Sequence, residues 1–296
     1  MSSTTGHVLR QLASDKASGP VQVLGVINAY AARQATKLGA KALYLSGAGV
    51  ANASYGIPDL GITGLTDVLE DVKRITDTTH LPLLVDVDTG FGHVMNIERT
   101  VQQMERAGVA AIHLEDQQTN KRCGHRPNKA VISKAAMGEK IKAAVDARVD
   151  DDFIIMARTD AYAVEGLDSA LERAAYYIEL GADMLFPEAM GSLEEYARFT
   201  SNLDVPVLAN ITEFGKTPLF TRDALKEVGV GLALYPLSGF RAMSKAAERV
   251  FTAILQEGTQ QSVVEEMQTR QALYDVLDYN QFEEKMDAWR LIEDGK

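Results

Sequence analysis

Eight near-continuous apolar runs, each followed by a stretch of helical spacing, are the feature that most narrows what this chain can fold into. They cover residues 21–28, 42–47, 82–88, 111–116, 154–160, 184–189, 207–212 and 232–237. Apolar at nearly every position, they read as parallel strands buried on both faces. The helical stretches lie at roughly 30–39, 66–78, 96–107, 133–148, 168–180, 192–201, 221–228 and 238–256, and several leave through Gly108, Gly181 or Gly229. A strand–helix unit repeated eight times predicts an α/β fold, a (β/α)8 barrel of TIM type. A doubly wound open sheet is the alternative, but it wants a glycine-rich phosphate turn after its first strand, which is absent here. A further helix is predicted at 5–16, ahead of the barrel. No linker or low-complexity stretch divides the chain, so residues 1–296 read as one domain. It ends in a helical segment at about 259–291, which packs either on its own barrel or on a neighbouring subunit.

The 296 residues carry a formal net charge of −11. That opposes nucleic acid, whose phosphates demand a basic face. It also repels an anionic substrate, which would need local arginines and a bound cation to enter. The single cysteine excludes an intrachain disulfide and fits a reducing cytoplasm. The first residues lack the basic-then-apolar pattern of a secretory leader. No apolar run approaches the ~20 residues of a membrane span. A cytoplasmic protein with neither a membrane nor a nucleic-acid partner is expected.

In a barrel the active site forms at the C-terminal ends of the strands. Those ends here hold Tyr44 and Ser46; Asp86 and Asp88; His113, Glu115 and Asp116; Arg158 and Asp160; Glu188; Asn210 and Thr212; and Pro236. One polar end is an ordinary cap or turn; most of a rim so furnished asks for a site. Asp86 and Asp88, two apart on a strand, project to one side. Paired carboxylates repel and are neutralised by a cation or a shared proton. Mg2+ takes one or two carboxylates together with waters and substrate oxygens. Asp88 could instead form a turn or cap, although the Thr-Gly-Phe-Gly after it allows a close approach to a ligand. Glu115 could hold metal-bound water. His113 is a second polar group of that strand or a satisfied core histidine.

Cys123 stands within Lys-Arg-Cys-Gly-His-Arg-Pro-Asn-Lys, residues 121–129. A thiol ordinarily titrates near ~8.5, and nearby cations lower that value. So placed it suits an acid, a base or a nucleophile, and a nucleophile would need His113 or His125 as its base. Arg158, Arg241 and Arg270 are either carboxylate clamps or surface charges, and Arg158 is the best placed because it closes an apolar strand.

Those two segments, with Met-Ala-Arg-Thr-Asp (156–160), Phe-Pro-Glu-Ala (186–189) and Leu-Ala-Asn-Ile-Thr-Glu-Phe-Gly (208–215), resemble the 2-methylisocitrate lyases. These belong to the isocitrate lyase and phosphoenolpyruvate mutase superfamily, and the resemblance covers about residues 20–285. It implies a (β/α)8 barrel whose last barrel helix is exchanged between subunits, a homotetramer built as a dimer of dimers, and Mg2+ as cofactor with Mn2+ as a substitute. It also implies retro-aldol-type cleavage of (2R,3S)-2-methylisocitrate, a small tricarboxylate, to pyruvate and succinate in the methylcitrate route of propionate catabolism.

Carried over by motif, Asp86 and Asp88 match metal ligands, Glu115 the carboxylate that reaches the metal through water, and Cys123 the catalytic acid. Ser46, Gly47 and Ala48 match a substrate-binding Ser-Gly-Gly, where Ala48 departs from the pattern: a backbone amide contact survives the change, while the added methyl could crowd a carboxylate. Gly124, Arg158, Glu188, Asn210, Ile211, Thr212, Arg241 and Arg270 match the remaining substrate contacts, with Arg158 also stabilising the developing charge. Tyr44 is the candidate base. Phe186 and Leu234 stand where isocitrate lyases carry tryptophan and threonine, and they offer an apolar slot for the extra methyl. The loops at 49–64 and 117–130 are expected to exclude water.

Isocitrate lyases are longer and carry Lys-Lys-Cys-Gly-His, and phosphoenolpyruvate mutases lack the cysteine. Oxaloacetate hydrolases and other short lyases are the alternatives. A non-catalytic metabolite-binding barrel would be expected to lose Asp86, Asp88 or Cys123.

Overall fold

A computed structural model of the chain describes residues 4–119, 121 and 129–293, with side chains as far as Arg290. Cys123 and Gly124, together with Arg122, His125 and Arg126, lie outside the described residues.

The eight apolar runs form eight parallel strands: β1 (Val21–Gly25), β2 (Ala42–Leu45), β3 (Leu83–Asp86), β4 (Ala111–Glu115), β5 (Ile154–Thr159), β6 (Met184–Pro187), β7 (Leu208–Asn210) and β8 (Leu232–Tyr235). They pair in the order β6-β5-β4-β3-β2-β1-β8-β7. A parallel bridge between Leu185 and Val207 joins β6 to β7 and closes the ring, with the Leu185 N–H donating to the Pro206 carbonyl at 3.0 Å. The barrel helices that follow β1 to β8 are α2 (Ala29–Lys37), α4 (Leu65–Thr76), α5 (Val94–Arg106), α6 (Lys134–Ala147), α8 (Leu167–Glu179), α9 (Leu193–Asn202), α10 (Arg222–Glu227) and α11 (Ser238–Glu257). Side-chain caps fix several starts. Asn28, Ser133 and Thr221 each accept a backbone N–H of the first turn, and Ser192 with Glu195 makes a capping box. Two short helices, α3 (Gly47–Gly49), which runs into a π turn at Val50–Ser54, and α7 (Tyr162–Glu165), were not foreseen by the spacing.

Strand alternation sorts the core into two shells. Val21, Val23, Ala42, Tyr44, Leu84, Ala111, Ile154, Met156, Met184, Phe186, Leu208, Leu232 and Leu234 fill the barrel interior. The residues between them, such as Leu43, Val85, Ile112, Ile155, Leu185 and Ala209, face the helices. The predicted first helix, α1 (Thr5–Ser14), closes the N-terminal end of the barrel with Leu9 and Ala13. Burying a leucine such as Leu9 contributes about 1.5–3 kcal/mol. A Cβ on Gly6 would stand 2.2 Å from the Asp152 carbonyl oxygen, so only glycine lets α1 lie this close.

The C-terminal segment departs from the single helix expected at 259–291. After α11 come a 3-10 turn (Gln261–Glu266), α12 (Arg270–Leu277) and α13 (Tyr279–Glu293). Met267 is extended, Thr269 caps α12, and Asp278 takes a left-handed conformation at φ 55° that ends it. Arg33 on α2 holds α12 in place, donating to the Val276 carbonyl at 3.1 Å and to Asp278 at 2.7 Å. The eighth barrel helix, α11, differs from the rest: of its twenty residues only Ala253 is buried, while Met243, Phe251, Ile254 and Leu255 are exposed. Among the described residues no helix is long and apolar enough to cross a membrane.

Candidate active site

The inward parity of each strand continues past the apolar core into polar side chains at the C-terminal rim. Val21 and Val23 lead nowhere polar, but Ala42 and Tyr44 lead to Ser46, Leu84 to Asp86 and Asp88, and Ala111 and His113 to Glu115. Ile154 and Met156 lead to Arg158 and Asp160, Met184 and Phe186 to Glu188, and Leu208 to Asn210 and Thr212. Together they surround a cavity of about 380 Å3 lined by Tyr44, Ser46, Ala48, Asp86, Glu115, Arg158, Phe186, Glu188, Asn210, Thr212, Leu234 and Arg241. Asp59, Lys121, Glu213, Phe214 and Leu237 line it as well. Sequence spacing does not single out Asp59, Lys121, Glu213 or Phe214, because each enters from a loop rather than along a strand, and Leu237 ends the eighth apolar run just ahead of α11.

Asp86 is held on both oxygens. Its Oδ2 accepts the Gly47 N–H at 3.0 Å and its Oδ1 the Asp88 N–H at 3.0 Å. Asp88 follows β3 in a left-handed conformation, φ 49°, which costs a non-glycine residue about 1–3 kcal/mol and is kept where a site requires it. The two carboxylates meet at Gly47, where a Cβ would lie 3.0 Å from Asp88 Oδ1 and 3.2 Å from Asp86 Oδ2. Lys121 is buried against the pair, with its Nζ bound to Asp88 and 2.7 Å from Asp59 Oδ1. Burial raises both carboxyls. For Asp86 it is outweighed by His113, Lys121 and Arg158, which hold that group below its ordinary value. For Asp88, burial and the charge of Asp86 win, and its carboxyl is raised. Burial opposes the Lys121 ammonium, but Asp88, Asp86 and Glu115 more than reverse this and keep it charged.

Glu115 and Arg158 stand opposite. Arg158 Nε is 3.2 Å from Glu115 Oε2, and Nη2 is 3.5 Å from Glu188 Oε2. The guanidinium lies 4.9 Å from the centre of the Phe186 ring. Glu115 Oε1 is buried and has no hydrogen-bond partner among the described residues. Burial drives this carboxyl well above its ordinary range despite Arg158. The Tyr44 hydroxyl is 2.9 Å from His113 Nε2 and 3.4 Å from Asp86 Oδ2. Burial first, and Asp86 second, raise the phenol well above 10, so it rests as a proton donor. Burial lowers His113 to about 4 in spite of Asp86, which leaves a neutral imidazole.

Other sequence-derived residues divide. Ala48 faces the cavity beside Ser46. Arg241 reaches it from α11, 3.6 Å from Glu213 Oε2 and 5.5 Å from the Phe214 ring centre. The Ile211 side chain packs in the outer shell, because odd positions of β7 face the helices, and its N–H is spent on the Leu234 carbonyl at 2.8 Å. Arg270 is exposed at the start of α12 and does not line the cavity. The reason is that α12 is tied to α2 on the outside of the barrel.

The donor set suits a hard divalent cation. Among the described residues no three ligand-type side chains converge, but two carboxylates do at Gly47. Two, completed by waters and substrate oxygens, are what Mg2+ accepts. Five acidic side chains line the cavity against three basic ones, Lys121, Arg158 and Arg241.

Residues 9–255 match the family described as phosphoenolpyruvate phosphomutase. The 2-methylisocitrate lyase of Salmonella typhimurium is 59% identical over 270 residues, 91% of this chain and 92% of that protein. That of Vibrio cholerae is 56% identical over 278 residues, 92% and 90% of the two chains. The chain belongs to the 2-methylisocitrate lyase family. Among solved structures, 2,3-dimethylmalate lyase, a member of the phosphoenolpyruvate mutase and isocitrate lyase superfamily, superposes with a TM-score of 0.89 at 31% identity, covering 98% of this chain and 96% of the other. Phosphonopyruvate hydrolase, crystallised with oxalate and Mg2+, superposes with a TM-score of 0.82 at 28% identity, covering 97% and 98%. The cavity at the C-terminal rim is therefore set in a barrel shared by enzymes that act on small carboxylates and phosphonates.

Proposed function

We propose that this chain cleaves 2-methylisocitrate to pyruvate and succinate with Mg2+ as its cofactor. The observation that carries this reading is the meeting of Asp88 with Asp86 beside Gly47, where Asp86 lines a cavity whose described lining has more acids than bases. A tricarboxylate enters such a cavity only when a cation offsets the acids. Asp86 and Asp88 would hold that cation, and Glu115 would reach it through water, accepting a hydrogen bond on its unpartnered oxygen. When bound, Mg2+ supplies Lewis-acid polarisation of the substrate hydroxyl and its neighbouring carboxylate. Mn2+, which shares the preference for oxygen donors, is expected to substitute.

The chain's own groups do the rest. Arg158 and Arg241 bind carboxylates, and Asn210 and Thr212 donate to the half that becomes succinate. Tyr44 takes the hydroxyl proton as its own passes to His113 Nε2, 2.9 Å away, where a neutral imidazole accepts it. The electrons of the breaking carbon–carbon bond pass into the succinate half, and the Cys123 thiol returns a proton to that carbon. Tyr44, Phe186 and Leu234 form the apolar floor that receives the methyl. A free cysteine used as an acid suits a reducing cytoplasm.

The same reading includes assembly by exchange of α11. Phe251, at 63% exposed, and Leu255, at 85%, stand on a barrel helix that covers almost nothing of its own barrel, and a partner would bury them. Light scattering should report a dimer or tetramer; a monomer at micromolar concentration rejects the exchange.

The function is tested by pyruvate release from 2-methylisocitrate beside isocitrate, before and after chelation. Turnover should favour 2-methylisocitrate, stop in excess chelator and return with Mg2+. Full activity of protein shown to be metal-free rejects the cation, and no pyruvate from 2-methylisocitrate rejects the substrate.

A further inference from the structure

Lys129 is almost wholly buried, its side chain 1% exposed, and it meets a carboxylate, Asp160, that is 0% exposed. The Nζ–Oδ1 distance is 2.5 Å. A buried ammonium is costly unless its partner is well placed, and this partner is shared. Asp160 Oδ2 accepts Arg158 Nε at 3.0 Å, while Oδ1 lies 3.5 Å from Arg158 Nη2. The backbone of Asp160 is fixed in turn, its N–H donating to Asp116 Oδ1 at 2.8 Å. Asp116 Oδ2 is held by the hydroxyls of Thr159 at 2.7 Å and Tyr177 at 3.1 Å. Arg158 thus faces three carboxylates, those of Asp160, Glu115 and Glu188, and its aim depends on how strongly each draws it.

We propose that Lys129 and Asp160 are positioning residues that aim Arg158 across the cavity. With Lys129 on Oδ1, Asp160 offers Arg158 one good acceptor, Oδ2. Without Lys129, Oδ1 is free to draw in Nη2, already 3.5 Å away, and the pair closes into a two-pronged bridge. That bridge would withdraw from the cavity the face of the guanidinium that meets a substrate carboxylate. The inference rests on Arg158 being a substrate contact. It adds a role for Lys129, which lines no part of the cavity.

The test compares Lys129→Met, Lys129→Arg, Arg158→Lys and the double variant Lys129→Met/Arg158→Lys by melting temperature, kcat and KM. Lys129→Met should raise KM about tenfold or more, the usual scale for a lost charge-assisted contact, and Lys129→Arg should recover most of it. In the Arg158→Lys background, Lys129→Met should change KM less than about twofold, since residues acting through one group are not additive. A purely structural pair predicts otherwise: a lower melting temperature and kcat, unchanged KM, and additive effects. Either that pattern or an Arg158→Lys variant with wild-type KM overturns the proposal. If Lys129→Met does not fold, Lys129→Met/Asp160→Asn leaves no unpaired buried charge and decides the matter in its place: raised KM supports the proposal and unchanged KM rejects it. If the wild-type protein releases no pyruvate from 2-methylisocitrate, the substrate reading alone fails. The pair is then judged on affinity for oxalate, which should weaken in Lys129→Met and, if unchanged, rejects the proposal.

Discussion

The backbone N–H of Gly47 donates to Asp86 Oδ2 at 3.0 Å, and a Cβ on Gly47 would stand 3.2 Å from that same oxygen. It would also lie 3.0 Å from Asp88 Oδ1, whose side chain is held by Lys121. Gly47→Ala is therefore expected to push the two carboxylates apart without unfolding the barrel. The half-saturating Mg2+ concentration should rise about tenfold or more, the scale seen when supports of metal ligands are disturbed, with an unchanged circular dichroism spectrum. An unaltered Mg2+ requirement would remove Asp86 and Asp88 from the cation site.

Cys123→Ser replaces a thiol with a far weaker acid of nearly the same size. General acid catalysis contributes typically ~10²–10⁴-fold, so kcat should fall by about that much, with KM within about threefold. A variant with wild-type kcat would leave the thiol a structural role only.

Asp278 ties the C-terminal helices to the barrel through Arg33 at 2.7 Å and through Lys37. The hydrogen bond from Lys37 leads in holding its carboxyl below 3.8, with Arg33 adding to it. A lowered folded-state pKa means the contribution is complete above the unfolded value and lost as pH falls through the folded one. Asp278→Asn keeps a residue type that tolerates the left-handed backbone but removes the charge. At pH 7 and low salt, proteolysis within α12 and α13 should quicken by about twofold to fivefold. The gap from wild type should close below pH 3.8 and at high salt; a gap independent of both would show that the charge is not what holds the segment.

Much of this is legible in the amino-acid sequence, and the reason is strand parity. Once Leu84, Met156 and Leu208 are read as interior, Asp86, Arg158 and Asn210 must follow them to the rim, and they do. The same parity turns Ile211, an odd position, towards the helices, although the motif groups it with Asn210 and Thr212. Lys121, Asp59 and Glu213 were not legible as site residues, because loop and helix-end residues have no period to follow. Lys129 was hidden for another reason: nothing in Arg-Pro-Asn-Lys says that its terminal lysine is buried against Asp160. Asp278 was hidden as well, since a single left-handed residue breaks a helix without disturbing its apolar spacing.

On the proposed reading, specificity turns on Phe186. Its ring is buried, with the Arg158 guanidinium 4.9 Å from its centre and the His113 ring edge-on at 5.2 Å. Those neighbours occupy two of its sides, so the larger indole of Phe186→Trp is directed towards the cavity, where Tyr44 and Leu234 complete the apolar floor. That is the space proposed for the substrate methyl. One methylene in an apolar pocket is worth roughly 1–3 kcal/mol, or ~10–200-fold in kcat/KM. The unmodified protein should therefore use 2-methylisocitrate with a kcat/KM at least about tenfold above that for isocitrate. Phe186→Trp should shrink that ratio chiefly by lowering the 2-methylisocitrate value, because the smaller substrate does not need the space. Competition kinetics with both substrates in one vessel measures the ratio directly. Equal or better use of isocitrate by the unmodified protein would show that the floor does not select for the methyl, and would move the assignment to isocitrate cleavage.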